Sequence, residues 1–263
     1  MRRLVKSLEK IYLGLILLFL YAPIAVLIVF SFNAGKSRAK MTGFSLQWYK
    51  ELFESDSLLT SLRNTLLIAV MAAVIATIIG TYAALVISKM KPFAKSATMS
   101  IVNIPIINAE IVTGISLMML FVFVSIPLGF TTLLIAHVAF NVPYVVLSVM
   151  PRIRQLNPST YEAALDLGAS HAMAFRKIVL PDIMPGIVSG MLMAFTLSLD
   201  DFIISYFTTG PGFPTLSVTI NTMTKKSVPL TVNALSTLMF VVVFCLMLAI
   251  NLKKPVGREE RRK

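Results

Sequence analysis

Six stretches of 20 residues or more run without a lysine or arginine: 11–32, 64–88, 98–124, 131–150, 183–207 and 232–252. A helix needs about 20 apolar residues to cross a bilayer, so each stretch is long enough to span one. Most of the charge lies in the loops and tails between them. The chain therefore reads as an all-α integral membrane protein with six transmembrane helices. The stretch at 11–32 exceeds the 7–15 apolar residues of a secretory signal. Asn33, Ala34, Gly35 and Lys36 follow it with no small-residue cleavage pattern, so it reads as a retained first helix.

The charge pattern orients these helices. Only 14% of residues are charged, yet the formal net charge is +12. On one side lie Arg2, Arg3, Lys6 and Lys10, then Lys89, Lys91 and Lys95, then Arg152, Arg154, Arg176 and Lys177, and six bases from Lys253 to Lys263. That side holds 17 bases and the other 7, which by the positive-inside rule puts both termini in the cytoplasm. Bases confined to short loops beside apolar runs express membrane topology and argue against nucleic-acid binding. With Cys245 the single cysteine and His137 and His171 the two histidines, neither an internal disulfide nor a metal site is expected.

Three parts follow from this layout. Residues 1–63 are the first transmembrane helix and an external loop, 64–252 a helical core with a cytoplasmic loop at 151–182, and 253–263 a basic cytoplasmic tail. The external loop carries Trp48, Tyr49, Phe44 and Phe53, and is expected to include a short amphipathic helix at the membrane interface.

The loop at 151–182 is rich in helix start and stop signals. Asn157 is a good N-cap, with Pro158 at the first helical position. Ser159 to Leu167 reads as a short helix, and Gly168 suits the left-handed residue that ends it. Ser170 caps a second short helix that runs to about Leu180, after which Pro181 opens the fifth membrane helix. Within the loop stands Glu162-Ala163-Ala164-Leu165-Asp166-Leu167-Gly168, then nine residues, then Ile178-Val179-Leu180-Pro181.

This segment resembles the EAA loop of ABC importer permeases, E-A-A, three residues, Gly, nine residues, I-x-L-P, at every fixed position. The resemblance implies a type I ABC importer permease fold for the core. It also implies an ATPase-coupling role for Glu162, Ala163, Ala164, Gly168, Leu180 and Pro181, because in that family the loop docks into a cleft on the ATPase subunit. The residue types suit such a role. Ala163 and Ala164 let another surface approach closely, Glu162 lies toward the positive end of its helix, and Arg176 and Lys177 lie toward the negative end of theirs. The partners implied are a second, related permease subunit, an ATPase dimer and an extracytoplasmic substrate-binding protein.

Gly35-Lys36-Ser37 looks like the end of a phosphate-binding loop, but Phe30 stands where that motif needs a further glycine, and a membrane helix stands where it needs a strand. No nucleotide site, cofactor or catalytic residue is expected on this chain. ATP and Mg are expected on the partner ATPase.

Glu110, Asp200 and Asp201 lie within apolar stretches that offer no basic partner. Ionisable groups there are costly and mark candidate pathways, so these three are the candidate substrate-pathway residues. Counted along continuous helices at about 1.5 Å per residue, Asp201 falls roughly 27 Å past Ile183, near the outer end of its span. On the same count Glu110 falls about 18 Å along its own span. Gly186, Gly190, Ala194 and Ser198 form a small-residue stripe suited to close helix packing. Continued at 100° per residue, the helix puts Asp201 within the arc of that stripe and Asp200 about 100° away. Carboxylates in the path point to a cationic substrate, and polyamines, with spaced amines, suit carboxylates and aromatic rings.

The stretch Phe195-Thr196-Leu197-Ser198-Leu199-Asp200-Asp201-Phe202 through Thr209-Gly210-Pro211 is similar to spermidine/putrescine permeases. So are Tyr21-Ala22-Pro23-Ile24 to Ser31-Phe32-Asn33 and Gln47-Trp48-Tyr49. This likeness covers nearly the whole chain. It implies a polyamine importer subunit, multi-pass in the plasma (inner) membrane. A permease of the same superfamily for ferric ion, sulfate or an amino acid, and a gradient-driven channel or secondary transporter, stay open as alternatives.

Overall fold

The computed structural model describes residues 2–35, 40–225 and 230–252. Lys36 and Ser37, and the basic tail at 253–263, lie outside the described residues. The elements are α1 (Arg2–Ser31), α2 (Gln47–Glu54), α3 (Asp56–Ser88), α4 (Pro92–Ile107), α5 (Glu110–Phe123), α6 (Phe130–Arg154), α7 (Pro158–Asp166), α8 (His171–Ala174), a π-helical turn (Phe175–Val179), α9 (Leu180–Asp200), α10 (Ile203–Thr208), α11 (Leu216–Thr224) and α12 (Thr231–Leu252). The only extended pairing among the described residues is a single bridge between Asn33 and Phe44. Two compact units are present, one of residues 1–59 with 222–263 and one of residues 60–221.

In the first unit α12 packs along α1 and touches α2. The expected short helix is α2, but its tryptophan is not an interfacial anchor. Trp48 is 5% exposed, and its indole N–H donates to the Asn33 carbonyl at 2.6 Å. Phe32 stacks on Phe44 at 5.4 Å and meets Tyr49 at 5.3 Å. The exposed rings of this region are Phe44 and Phe53.

In the second unit α6 is central, packing chiefly on α9 and also on α4, α5 and α10. Gly186, Gly190, Ala194 and Ser198 are all buried, as the stripe predicts. A Cβ at Gly186 would stand 2.9 Å from the Ser148 carbonyl of α6, so only glycine allows this approach. The core at the crossing is built of small and β-branched residues, among them Ala73, Ala76, Val145, Val149 and Ala194.

Among the described residues, four helices are long and apolar enough to cross a membrane: Lys10–Ser31, Asp56–Ser88, Phe130–Arg154 and His171–Asp200. The stretch at 98–124 is not one helix. It is the pair α4 and α5, bent by 101°, and counted as one span it is the fifth. Pro105 lies one turn before the break and has no N–H to give to its helix. Asn108 then leaves the helix at φ −73°, ψ 145°. The stretch at 183–207 is also divided, since α9 ends at Asp200. The depth counted along a continuous helix therefore does not hold for Glu110, whereas α9 is unbroken from Ile183 to Asp200 and the Asp201 side chain beside it is buried, as its place in the arc of the stripe predicts. α12 occupies the last stretch.

Candidate functional sites

The turn at 157–180 is built largely from side-chain caps. Asn157 Oδ1 accepts the Ser159 N–H at 3.1 Å, and Pro158 opens α7. Gly168 has φ +85°, the left-handed conformation that ends many helices. The Ala169 N–H reaches the Ala164 carbonyl at 3.0 Å and the Gly168 N–H the Leu165 carbonyl at 2.9 Å, the paired bonds of a Schellman motif. Ser170 Oγ accepts the Met173 N–H at 3.3 Å and starts α8.

Two further features complete this turn. The Tyr161 hydroxyl stands 3.1 Å from His171 Nδ1, with the two rings stacked. The second short helix also does not stop before the membrane. It passes through the π turn, where the Leu180 N–H bonds to the Phe175 carbonyl, straight into α9. Pro181 accounts for this, because it cannot donate to Lys177 and the ladder must widen there. Glu162, Ala163, Gly168 and Pro181 are exposed, Ala164 and Leu180 half-buried. Leu167 is 89% exposed at the tip. The result is a capped, rigid corner with an apolar apex, joined to a membrane helix without a flexible link.

The three membrane carboxylates have different surroundings. Glu110 is the first residue of α5, where the helix dipole favours a negative charge. It is exposed. Tyr144 meets Phe140 edge-on at 5.3 Å, and Leu197 of α9 packs against the same cluster. Asp200, the last residue of α9, is exposed. Asp201 turns inward, with its side chain 4% exposed. Its Oδ1 accepts the Ile204 N–H at 3.2 Å and its Oδ2 the Ser205 N–H at 2.7 Å, which caps α10. His137 Nε2 lies 3.5 Å from Oδ2. Among the described residues, Glu110 and Asp200 enter no ion pair.

Residues 76–253 match the model of the family described as binding-protein-dependent transport system inner membrane component. This chain belongs to that family. The permease is 38% identical to the spermidine/putrescine transport system permease protein PotC of Haemophilus influenzae, over 91% of this chain and 93% of that one. It is 40% identical to the putrescine transport system permease protein PotI of Escherichia coli, over 84% of this chain and 81% of that one. Its fold matches a chain from a bacterial ABC transporter involved in the import of the acidic polysaccharide alginate, with TM-score 0.76 and 15% identity, over 96% of this chain and 97% of that one. The permease is thus a multi-pass inner-membrane component of an ABC importer, with the all-helical fold of that class.

Proposed function

We propose that this permease carries polyamines of the spermidine and putrescine class across the inner membrane, driven by ATP that a partner ATPase hydrolyses. The observation that carries the proposal is full-length similarity to two polyamine permeases. Two exposed carboxylates without a basic partner in the membrane segments, Glu110 and Asp200, add chemical support. A cationic amine gains from both, and the half-buried Tyr144 ring of α6 suits it as well.

In this mechanism the chain crosses the membrane six times with both termini in the cytoplasm, as its base distribution favours. It works beside a second permease subunit, an ATPase dimer that holds ATP and Mg, and an extracytoplasmic binding protein that delivers the substrate. The chain itself supplies no nucleotide site. The corner at 157–180 seats on the ATPase through Glu162, Ala163, Ala164, Gly168 and the exposed Leu167. When ATP closes the ATPase dimer, the corner moves. The unbroken path through the π turn, Leu180 and Pro181 passes that motion to α9, whose far end carries Asp200 and Asp201. Glu110 and Asp200 face the substrate, and Asp201 holds the wall behind them.

Labelled spermidine uptake into proteoliposomes tests this reading. Unlabelled putrescine and spermidine are expected to compete, and ferric ion, sulfate and amino acids are not. Competition from one of the latter group instead, or uptake that continues without ATP, contradicts it.

A further inference from the structure

The break that ends α9 is held by side chains from α6. Asp201 leaves the helix at φ −59°, ψ 128°, and the chain re-enters helix at Ile203. The Asp201 carbonyl accepts the Ser217 hydroxyl at 2.7 Å, while its carboxylate caps α10. From α6, His137 Nε2 stands 3.1 Å from Ser205 Oγ and 3.5 Å from Asp201 Oδ2. The His137 side chain is 2% exposed. Two further rungs flank it. On one side Asn141 Nδ2 donates to Ser198 Oγ at 2.6 Å, before the break. On the other the Thr132 hydroxyl donates to the Thr208 carbonyl at 2.8 Å, at the end of α10. α6 therefore grips the chain before, at and after the point where the helix fails.

We propose that His137 is a positioning residue for transport: by holding Asp201 and Ser205 at this break, it fixes the direction in which Asp200 presents its carboxylate to a cationic substrate. This rests on the assignment of Asp200 to the pathway given above. A carboxylate this buried needs donors on every side, and no lysine or arginine forms an ion pair with it among the described residues. The backbone of α10 supplies two donors, but these move with the break. His137 is the α6 side chain that stands at both partners, hydrogen-bonded with Ser205 Oγ and 3.5 Å from Asp201 Oδ2, and α6 is the helix against which α9 is packed. Asp200 immediately precedes Asp201, ends α9 and is exposed, so a shift at the break moves the helix end that presents it.

The test uses the complete transporter in proteoliposomes with saturating spermidine-loaded binding protein, and reads spermidine carried per ATP hydrolysed. A defect that is merely structural lowers transport and hydrolysis together and leaves this ratio in place. His137→Gln keeps an N–H near the position of Nε2 and is expected within about twofold of the parent ratio. His137→Asn falls short of Ser205 and Asp201 and is expected to lower the ratio about tenfold, the effect of leaving a buried polar group without its partner. Asp200→Asn is expected to lower it as well, and the His137→Asn, Asp200→Asn double variant to be no worse than Asp200→Asn alone. Equal ratios for Gln and Asn, or independent losses that multiply in the double variant, overturn the positioning role. A parent-like ratio in Asp200→Asn alone sinks the pathway assignment instead. If His137→Asn does not insert, Ser205→Ala removes the hydroxyl partner of His137 and is read in the same way: a parent-like ratio overturns the role.

Discussion

The Tyr161 hydroxyl lies 3.1 Å from His171 Nδ1, across the reversal that Gly168 makes. This contact joins the two short helices of the cytoplasmic-loop corner into one body, so that a push on α7 reaches α8. From α8 the chain continues through the π turn into α9 without a flexible segment. A corner that only lay on the bilayer surface would have little need of two side-chain caps, a Schellman closure and an aromatic clasp. The lever proposed above needs all of them.

Gly168 is the most exacting position of that lever. With φ +85°, a residue with a Cβ is strained there by about 1–2 kcal/mol. Proline is incompatible outright, since its φ is held near −65°. It also deletes the N–H that reaches the Leu165 carbonyl. Gly168→Pro is expected to abolish ATP-coupled uptake with the protein still in the membrane fraction, and Gly168→Ala to lower uptake severalfold. Uptake assays beside immunoblots of membranes check both.

Glu162 tests the docking face rather than the turn. It is exposed and makes no ion pair among the described residues, so Glu162→Lys should leave the fold of the corner intact. Its expected effect is loss of ATP-coupled uptake together with weaker association with the ATPase. Co-purification of the ATPase with the variant measures the association. Parent-like uptake and association would remove Glu162 from the interface.

The corner was largely legible in the sequence because its signals are local. Asn157, Pro158, Gly168 and Ser170 each act on backbone groups within a few residues, so spacing alone predicts what they do. The helix breaks were not legible in the same way. Hydropathy has no direction, and the apolar residues on either side of Asn108 read the same whether the helix continues or turns by 101°. The end of α9 depends on Asp201 taking the N–H groups of Ile204 and Ser205, a competition that an apolar stretch does not reveal. Trp48 shows the limit most plainly. Its composition favours an interface, but the carbonyl of Asn33 captures its N–H and buries it.

The buried glycines of α9 make a stability prediction. A Cβ at Gly186 meets the Ser148 carbonyl at 2.9 Å and Arg152 Cγ at 2.9 Å. Gly186→Val should therefore cost about 1–3 kcal/mol through overpacking. Gly14 of α1 has nothing within 4 Å of its added Cβ, so Gly14→Ala is expected to be neutral or slightly stabilising, since alanine is the better helix former. Thermal unfolding in detergent, followed by fluorescence, separates the two.

The carboxylates should divide by role. Asp200→Asn and Glu110→Gln are expected to reduce polyamine uptake with melting temperature preserved, because both side chains are exposed. Asp201→Asn keeps one acceptor oxygen but sets an amide NH2 against the other of two backbone N–H groups, and should cost about 1–3 kcal/mol of stability. Thermal melts and uptake rates for the three variants provide the check.

The central claim is that polyamine delivery to this permease drives hydrolysis by a separate ATPase. The direct measurement is ATP hydrolysis by the reconstituted transporter after addition of binding protein loaded with spermidine, putrescine, ferric ion, sulfate or an amino acid. Stimulation by the spermidine- and putrescine-loaded forms, lost in Gly168→Pro, is the predicted result. Stimulation by one of the other loaded forms and not by these two, or a hydrolysis rate indifferent to all of them, would contradict the account.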